Sequence, residues 1–330
     1  DYNKALEDFN KGIELNPTDP DLHFKKAFNY QNKLDKPDLA LKSYQEVERL
    51  NPEYQYINNN IAIIYEIYIK DYQKALEYYD KEIKLNPSDA KAYGNRADLY
   101  ANQLQNLDKA LEDYNKAVSV DPKNSINYEK RGDFYSDYLN DYDKALEDFN
   151  EGIELNPTDP DLHFKKAFNY QNKLDKPDLA LKSYQEVERL NPEYQYINNN
   201  IAIIYEIYIK DYQKALEYYD KEIKLNPSDA KAYGNRADLY ANQLQNLDKA
   251  LEDYNKAVEV DPENSYNYEK RGLFYRDYLN DYNKALEDFN KGIELNPTDP
   301  ISHFRKGYLL QDEKPDLALK SYQEVERLNP

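Results

Sequence analysis

Histidine is the first residue type to test for chemistry, because its ring can act as a general acid or base or bind a metal ion. The chain has three histidines, His23, His163 and His303, and each lies six residues after an Asn-Pro proline. No second histidine stands near any of them in sequence. A catalytic or metal site needs several converging groups, so we predict a packing role for all three.

Other motifs that mark catalytic or metal sites are missing from the sequence. There is no cysteine, which excludes disulfides, thiolate nucleophiles and cysteine-bound metals. No glycine-rich phosphate loop, HExxH or EF-hand pattern occurs, and proline in the middle of the Asn-Pro-Thr and Asn-Pro-Ser triplets excludes glycosylation. We therefore predict that the protein is not an enzyme and has no catalytic residues, metal or cofactor.

The charge of the chain limits its partners. A formal net charge of −19 over 330 residues disfavours binding to nucleic acid, where lysine and arginine must replace counterions. No apolar run approaches the ~18 residues of a membrane helix, so no membrane insertion is predicted. Acidic clusters such as Glu147-Asp148 are expected to be solvated helix faces. Because residue 1 is Asp, the natural N-terminus is expected to be missing, so cytoplasmic location is only a default and secretion stays open.

Proline marks a repeat. Asn-Pro or Asp-Pro recurs every 35 residues from Pro17 to Pro297, and the last step, to Pro330, is 33 residues. A second, longer period of 140 residues is also present, because residues 12–118 and 152–258 are identical. Fixed periods of this size are typical of solenoids. We predict a single array over residues 1–330, with a lone second helix at 1–17 followed by nine repeats. These end at Pro52, Pro87, Pro122, Pro157, Pro192, Pro227, Pro262, Pro297 and Pro330.

Each period holds two amphipathic helices, as residues 52–87 illustrate. A turn is expected at Lys70-Asp71, and the second helix should stop before Pro87, because proline pushes the preceding residue out of the helical region. Ser88 or Asp89 can cap the next helix. No segment alternates with the period of a strand. The two apolar stripes are Ile57, Ile61, Ile64, Tyr65 and Tyr68, then Tyr72, Ala75, Leu76, Tyr79 and Ile83.

The pattern resembles the tetratricopeptide repeat, whose signature is W-x2-L-G-x2-Y, then A-x3-F, then P. The resemblance covers the whole chain and implies an all-α fold, a TPR-like α-solenoid in which antiparallel helix pairs form a right-handed superhelix. Small residues such as Ala75, Ala97 and Gly132 should lie where helices cross. The period of 35 is one residue longer than is usual for the family. In residues 87–122 the matching positions are Tyr93, Arg96-Ala97, Tyr100, Ala110, Tyr114 and Pro122.

The resemblance also implies that the first helix of each pair lines a concave groove. Asparagine can bond a peptide backbone, lysine can pair with carboxylates, and tyrosine gives flat contact area. The carboxylate clamp of some relatives is predicted to be absent, because Phe24, Phe28 and Asn95 stand at three of its positions. The predicted ligand-binding residues are Lys25, Tyr56, Asn59, Asn60, Lys91, Asn95, Asp98, Lys130, Lys165, Tyr196, Asn199, Asn200, Lys231, Asn235, Tyr266 and Lys270.

Two functions follow from these patterns. The first is a non-catalytic protein–protein interaction scaffold that binds extended peptide segments in the groove, with an unidentified protein or peptide as partner. The alternative is a structural array in a long fibre or spacer, with end-to-end self-association, because the four-repeat unit hardly varies. The remaining possibility is a solvated groove that binds no ligand. Any site on residues 20–118 is expected to have a twin on 160–258, which would suit a bivalent partner.

Overall fold

The computed structural model describes residues 1–329, and within them it contains helices and no strand. The predicted all-α solenoid is confirmed. The helices are, in chain order, α1 Tyr2–Leu15, α2 Pro20–Asn32, α3 Pro37–Leu50, α4 Ile57–Ile63, α5 Tyr72–Leu85, α6 Ala90–Asn102, α7 Leu107–Val120, α8 Ser125–Asp137, α9 Tyr142–Leu155, α10 Pro160–Asn172, α11 Pro177–Leu190, α12 Ile197–Ile203, α13 Tyr212–Leu225, α14 Ala230–Asn242, α15 Leu247–Val260, α16 Ser265–Asp277, α17 Tyr282–Leu295, α18 Pro300–Leu310 and α19 Pro315–Leu328.

The chain divides into two compact units. Unit 1 comprises Asp1–Leu174 and contains α1 to α10, whereas unit 2 begins at Asp175 and contains α11 to α19. Within each unit, consecutive first and second helices pack as pairs, such as α6 with α7 and α14 with α15. The first helices of successive pairs also touch, as α6 does α8 and α14 does α16. First helices therefore share a surface over α6, α8 and α10 in unit 1 and over α14 and α16 in unit 2.

Short polar residues cap the starts of α2 and α6. Asp89 accepts the backbone N–H of Lys91 at 3.0 Å, so Asp89 rather than Ser88 is the cap of α6. Asp19 caps α2 in the same way, with Pro20 at the first helical position. A side-chain cap of this type contributes roughly 1 kcal/mol. The starts of α2 and α6 can thus be predicted from the residues that follow the preceding proline.

The invariant alanine forms the seam of each helix pair. Ala75, Ala110 and Ala145 are fully buried, as are their copies in unit 2. The aromatic residue four positions later fills the space beside the alanine, and Tyr79 and Phe149 are also fully buried. This packing is the one predicted from the repeat, and it leaves no room for a larger residue at the alanine.

Glycine marks the closest helix crossing in unit 1. A Cβ atom added at Gly132 on α8 would lie 2.6 Å from Cε1 of Phe149 on α9, which is closer than real carbon atoms approach. Gly272 on α16 faces Phe289 in the same way, at 2.8 Å. The predicted role of Gly132 as a small crossing residue is therefore confirmed by the packing around it.

Glu147-Asp148 does not form the solvated face predicted for it. Glu147 is exposed, but Asp148 is buried and accepts two hydrogen bonds from Arg131, from Nε at 2.8 Å and Nη2 at 2.7 Å. Helical periodicity explains the error, because neighbouring residues on a helix point about 100° apart. One acidic residue of the cluster faces water while the next faces the α8–α9 contact.

The first helix in residues 52–87, and its copy in residues 192–227, depart from the other first helices. Tyr56 adopts a left-handed conformation (φ 64°), α4 begins after it, and the helix continues as a π-helical segment over Ile64–Ile69. A π-helix fits more residues into each turn, so residues that other repeats place in the hairpin loop are absorbed here. Lys70 (φ 61°) then forms the predicted turn. Tyr68 was predicted to lie on the buried stripe, but the π-turn rotates it to the surface, where it is 40% exposed.

The histidines have structural partners. The Nε2 atom of His23 donates to the carbonyl oxygen of Pro17 at 3.0 Å, and the same bond joins His163 to Pro157 at 3.2 Å. Each ring therefore fastens the inter-repeat loop to the helix that follows it. None of the helices in residues 1–329 has the combination of length and apolar character needed to cross a bilayer.

Candidate functional site

A cleft of about 690 Å³ lies on the first-helix surface of unit 2. It is lined by α14, α16, the segment before α12, and Tyr254 and Ala257 on α15. The cleft brings together five residues of the predicted ligand-binding set, together with Asp238. These five are Tyr196, Lys231, Asn235, Tyr266 and Lys270.

Helical spacing explains why these side chains converge. Lys231, Asn235 and Asp238 follow one another at intervals of four and three on α14, so they share one face. Tyr266 and Lys270 are four residues apart on α16 and share the face opposite. Both helices start at the cleft, where Asp229 and Asn264 cap them. The lining is thus fixed by regular secondary structure, with little dependence on loops.

A half-buried ion pair lies at the inner end of the cleft. Lys270 Nζ donates to Asp238 Oδ2 at 2.8 Å, and the Tyr254 hydroxyl donates to the other oxygen at 2.5 Å. Burial alone lowers the pKa of Lys270, but the bond to Asp238 and its charge outweigh burial and raise the pKa. Burial, and then the negative charge of Asp238, raise the pKa of Tyr254. Lys270 therefore stays charged and Tyr254 stays protonated at neutral pH.

The outer part of the cleft offers groups with unused bonding capacity. Asn235 donates from Nδ2 to Asn199 Oδ1 at 2.8 Å, while its own amide oxygen accepts no hydrogen bond from residues 1–329. Lys231 is exposed, and its ammonium has no ion-pair partner in the part of the chain that the structure describes. The rings of Tyr196 and Tyr266 are also exposed. One acceptor, one cation and two flat aromatic faces are therefore open to a ligand.

The equivalent surface of unit 1 has the same frame with one different lining residue. Tyr56, Lys91 and Asn95 stand where unit 2 has Tyr196, Lys231 and Asn235, but Ile126 replaces Tyr266. Lys130 donates to Asp98 Oδ2 at 2.5 Å and also to the Asn95 amide oxygen at 3.4 Å. The amide oxygen that is free in unit 2 is thus occupied in unit 1.

The structure places the remaining predicted residues in several environments. Asn59 and Asn199 are buried, and their amide oxygens accept bonds from Asn95 and Asn235, so they support the groove from beneath. Asn60 is partly buried and donates to the Tyr56 carbonyl oxygen at 3.0 Å. Asn200 is also partly buried.

Two further lysines of the predicted set lie in unit 1, outside the surface around Asn95. Lys25 is exposed and lies beside a separate, mainly apolar cavity of about 370 Å³ that also includes Phe9 and Phe28. Lys165 Nζ already bonds Glu129 Oε1 at 2.6 Å and Asp133 Oδ2 at 2.5 Å. Lys165 therefore has much less capacity for an external carboxylate than Lys231.

Sequence reasoning missed the groups that hold the groove cations in place. Asp238 entered the sequence predictions only as the copy of Asp98, and the hydrogen bond from Tyr254 to Asp238 was not predicted. A usable signal existed, because Tyr254 stands where the family has phenylalanine, and a buried hydroxyl needs a partner. Asp238, sixteen residues earlier, is the one acidic residue on the facing helix α14.

Two family models, each described as the tetratricopeptide repeat, match residues 64–125 and 204–265, and residues 127–159 and 266–299. Together they cover more than half of the chain. The sequence has no match among curated proteins.

Solved structures resemble the fold at low sequence identity. The structure of yeast Tom70 has 15% identity and a TM-score of 0.56, with 99% of this chain and 88% of that chain covered. A tetratricopeptide repeat protein from Parabacteroides merdae has 19% identity and a TM-score of 0.54, with coverage of 86% and 99%. Identities this low support the fold and carry no information about ligands.

Proposed function

Because this chain belongs to the tetratricopeptide repeat family, we propose that it is a non-catalytic scaffold that binds an extended protein segment in the cleft of unit 2. The observation that carries the proposal is the grouping of Lys231, the Asn235 amide oxygen and the rings of Tyr196 and Tyr266 around one open space. Solenoid surfaces of this kind suit partners that lie along several repeats.

The chemistry of the cleft defines the segment. Asn235 Oδ1 can accept a main-chain N–H, and an extended peptide presents such a group on one side at every second residue. Lys231 can pair with an aspartate or glutamate side chain, because no carboxylate of the described chain occupies it. The two tyrosine rings add contact area at a small cost in conformational entropy. An acidic, extended segment is therefore the expected ligand.

A peptide phage library panned on the full chain tests this function. Selected peptides should contain acidic residues, and Lys231→Ala and Asn235→Ala should each weaken their binding about tenfold, which corresponds to ~1.4 kcal/mol. Lys182→Ala is the matched control, since Lys182 is exposed on the second helix α11 of the same unit. Binding that is unaffected by the cleft variants, measured by calorimetry, would show that the cleft is not the site.

The structural-array alternative rests on the almost unvaried four-repeat unit. The two copies keep the same contacts, since Arg96 bonds Asp113 and Arg236 bonds Asp253 at the same distances of 2.8 and 2.7 Å. A spacer needs such uniformity, whereas a tailored binding site does not. Sedimentation velocity at rising concentration separates the two functions, because a self-assembling array should form larger species and a monomeric scaffold should not.

A further inference from the structure

One residue distinguishes the cleft of unit 2 from the same surface in unit 1. Residues 152–258 repeat residues 12–118 without change, so every lining position up to Ala257 is shared. Of the later lining positions, Val260, Asp261, Asn264, Asn267 and Lys270 also have identical counterparts. Tyr266 in place of Ile126 is the difference that remains.

The lysine four residues later lies differently in the two units. In unit 2 the Lys270 ammonium lies 5.5 Å from the centre of the Tyr266 ring, within the range of a cation–π interaction. In unit 1 isoleucine offers no such ring, and Lys130 reaches across to the Asn95 amide oxygen at 3.4 Å. The structure gives no bond between Lys270 and Asn235 within residues 1–329. Both ammonium groups keep their bond to the equivalent aspartate, Asp98 or Asp238, and they differ in the second partner, which is the Asn95 amide oxygen in unit 1 and the Tyr266 ring in unit 2.

The position of the lysine decides how open the groove is. At Gly94 an added Cβ atom would lie 3.6 Å from Lys130 Cδ and 3.9 Å from its ammonium nitrogen. At Gly234 an added Cβ atom would meet no atom within 4 Å. Gly94 is buried, whereas Gly234 is partly exposed. Lys130 therefore covers the floor of the groove in unit 1, and the equivalent floor in unit 2 is uncovered.

We propose that Tyr266 determines which groove binds, because its ring draws Lys270 aside and leaves the groove of unit 2 open, while Lys130 closes the groove of unit 1. The chain then has one ready site for an acidic extended segment, despite its duplicated sequence. This inference rests on the proposed function for the identity of the ligand, but the open and closed states of the two grooves are properties of the free protein. It replaces the expectation of two equivalent sites for a bivalent partner.

Cysteine accessibility tests the inference without any ligand, since the natural chain has no cysteine. Gly234→Cys and Gly94→Cys place single thiols on the two groove floors. Iodoacetamide is the probe, because it is neutral and small. The rate is taken at the pH-independent plateau of the thiolate, which removes the influence of nearby lysines on the thiol pKa. The thiol at position 234 should react about tenfold faster than the thiol at position 94.

Exchange of the single lining residue provides the matched variants. Tyr266→Ile should slow alkylation at position 234, and Ile126→Tyr should speed it at position 94, while Tyr266→Phe retains the ring and should change little. Circular dichroism confirms that each variant is folded. Equal rates at the two positions in the parent background, or rates that ignore the exchange, would overturn the inference.

Calorimetry with a peptide from the phage library then links openness to binding. The parent chain should bind one peptide, and Ile126→Tyr should raise the stoichiometry to two. A stoichiometry of two for the parent chain contradicts the inference while leaving the scaffold function intact. Unequal thiol rates with no peptide binding at all would instead support the open and closed grooves and reject the proposed function.

Discussion

The segments from α8 to α10 and from α16 to α18 occupy the same places in the two units, but their groove faces differ in charge. In the first segment Lys165 bonds both Glu129 and Asp133. In the second, Arg305 takes the place of the lysine and bonds Glu269 at 2.7 Å, while Leu273 stands at the position of Asp133. The Ser302 hydroxyl supplies a second donor to Glu269.

The packing between first and second helices is unchanged in spite of this difference. Arg131 bonds Asp148, and Arg271 bonds Asp288, with the same pair of distances, 2.8 and 2.7 Å. The α8 and α16 helices also have the same length, 13 residues. The contacts between the two helices of a pair are therefore the same in both segments. The groove face can exchange charged residues for apolar ones without altering those contacts.

The largest effect is expected where the two segments agree. Asp148→Ala should leave the guanidinium of Arg131, whose side chain is only 19% exposed, without its bidentate partner. Loss of one member of a buried pair typically costs 3–5 kcal/mol, and because Asn115 still accepts from Arg131 at 2.9 Å we expect about 3 kcal/mol. Urea unfolding followed by circular dichroism measures the change in the free energy of unfolding.

The twin substitution and a double variant complete this test. Asp288→Ala should cost a similar amount, because the geometry around Arg271 is the same. Replacement of both Arg131 and Asp148, by Met and Leu, should recover much of the loss, since it leaves no unpaired charge. If the double variant is as unstable as Asp148→Ala alone, the ion pair is not the cause of the loss.

An intermediate effect is expected from two glycines on first helices of unit 1, Gly132 and Gly94. Gly132→Ala places a methyl group 2.6 Å from the buried Phe149 ring and should destabilise unit 1 by about 1–3 kcal/mol. Gly94→Ala makes an ordinary contact with Lys130 at 3.6 Å and should stabilise α6 by up to about 1 kcal/mol, because alanine favours the helix. Thermal melts of the two variants should shift in opposite directions, and shifts of the same sign would contradict the packing described for Gly132.

These glycines show how far the sequence predicts the structure. The alanine seam, the helix ends near each proline and the close crossing at Gly132 follow from spacing and residue size. The π-helical segment before Lys70 cannot be predicted in this way. It follows from the late start of α4 at Ile57, and no residue preference indicates that start. The burial of Asp148 was not predicted either, because the adjacent Glu147 is exposed and the two residues were treated as one acidic cluster.

The groove is the part least accessible to sequence reasoning. Its residue types and their shared face were predicted, but which cations are already paired was not. The Lys130 ammonium can interact with a carboxylate, an amide or a neighbouring side chain. The free energies of these interactions differ by about 1 kcal/mol or less. Only the three-dimensional arrangement separates Lys165, which has two carboxylate partners, from Lys231, which has none in the described chain.

The smallest effect is a pH dependence located where the two segments differ. Burial, followed by the nearby charge of Glu129 and against the attraction of Lys165, raises the pKa of Asp133 to about 6 from an ordinary value of 3.8. The folded chain therefore holds this proton more tightly than the unfolded chain does. The stabilising contribution is complete below pH 3.8 and is lost as the pH rises through about 6.

Asp133→Asn should accordingly change stability little near pH 4 and increase it at pH 7, since the variant never has to ionise the buried group. The gain should be below about 1 kcal/mol, because the Asp133 side chain is 38% exposed and solvent screens its charge. Glu129 remains available to pair with Lys165 in this variant. Urea unfolding at several pH values between 4 and 7 gives the difference curve.

The converse exchange, Leu273→Asp, tests whether the equivalent position in unit 2 also raises the pKa of a carboxyl group. It loses apolar packing at every pH, so the informative quantity is the slope of its stability against pH and not the absolute value. If burial at this position of the first helix sets the pKa, the new carboxyl group beside Arg305 should make unit 2 lose stability between pH 4 and 7 relative to the parent chain. A slope like that of the parent would mean that the raised pKa belongs to the particular carboxylates around Asp133, and that the groove faces of the two units are electrostatically distinct as well as different in sequence.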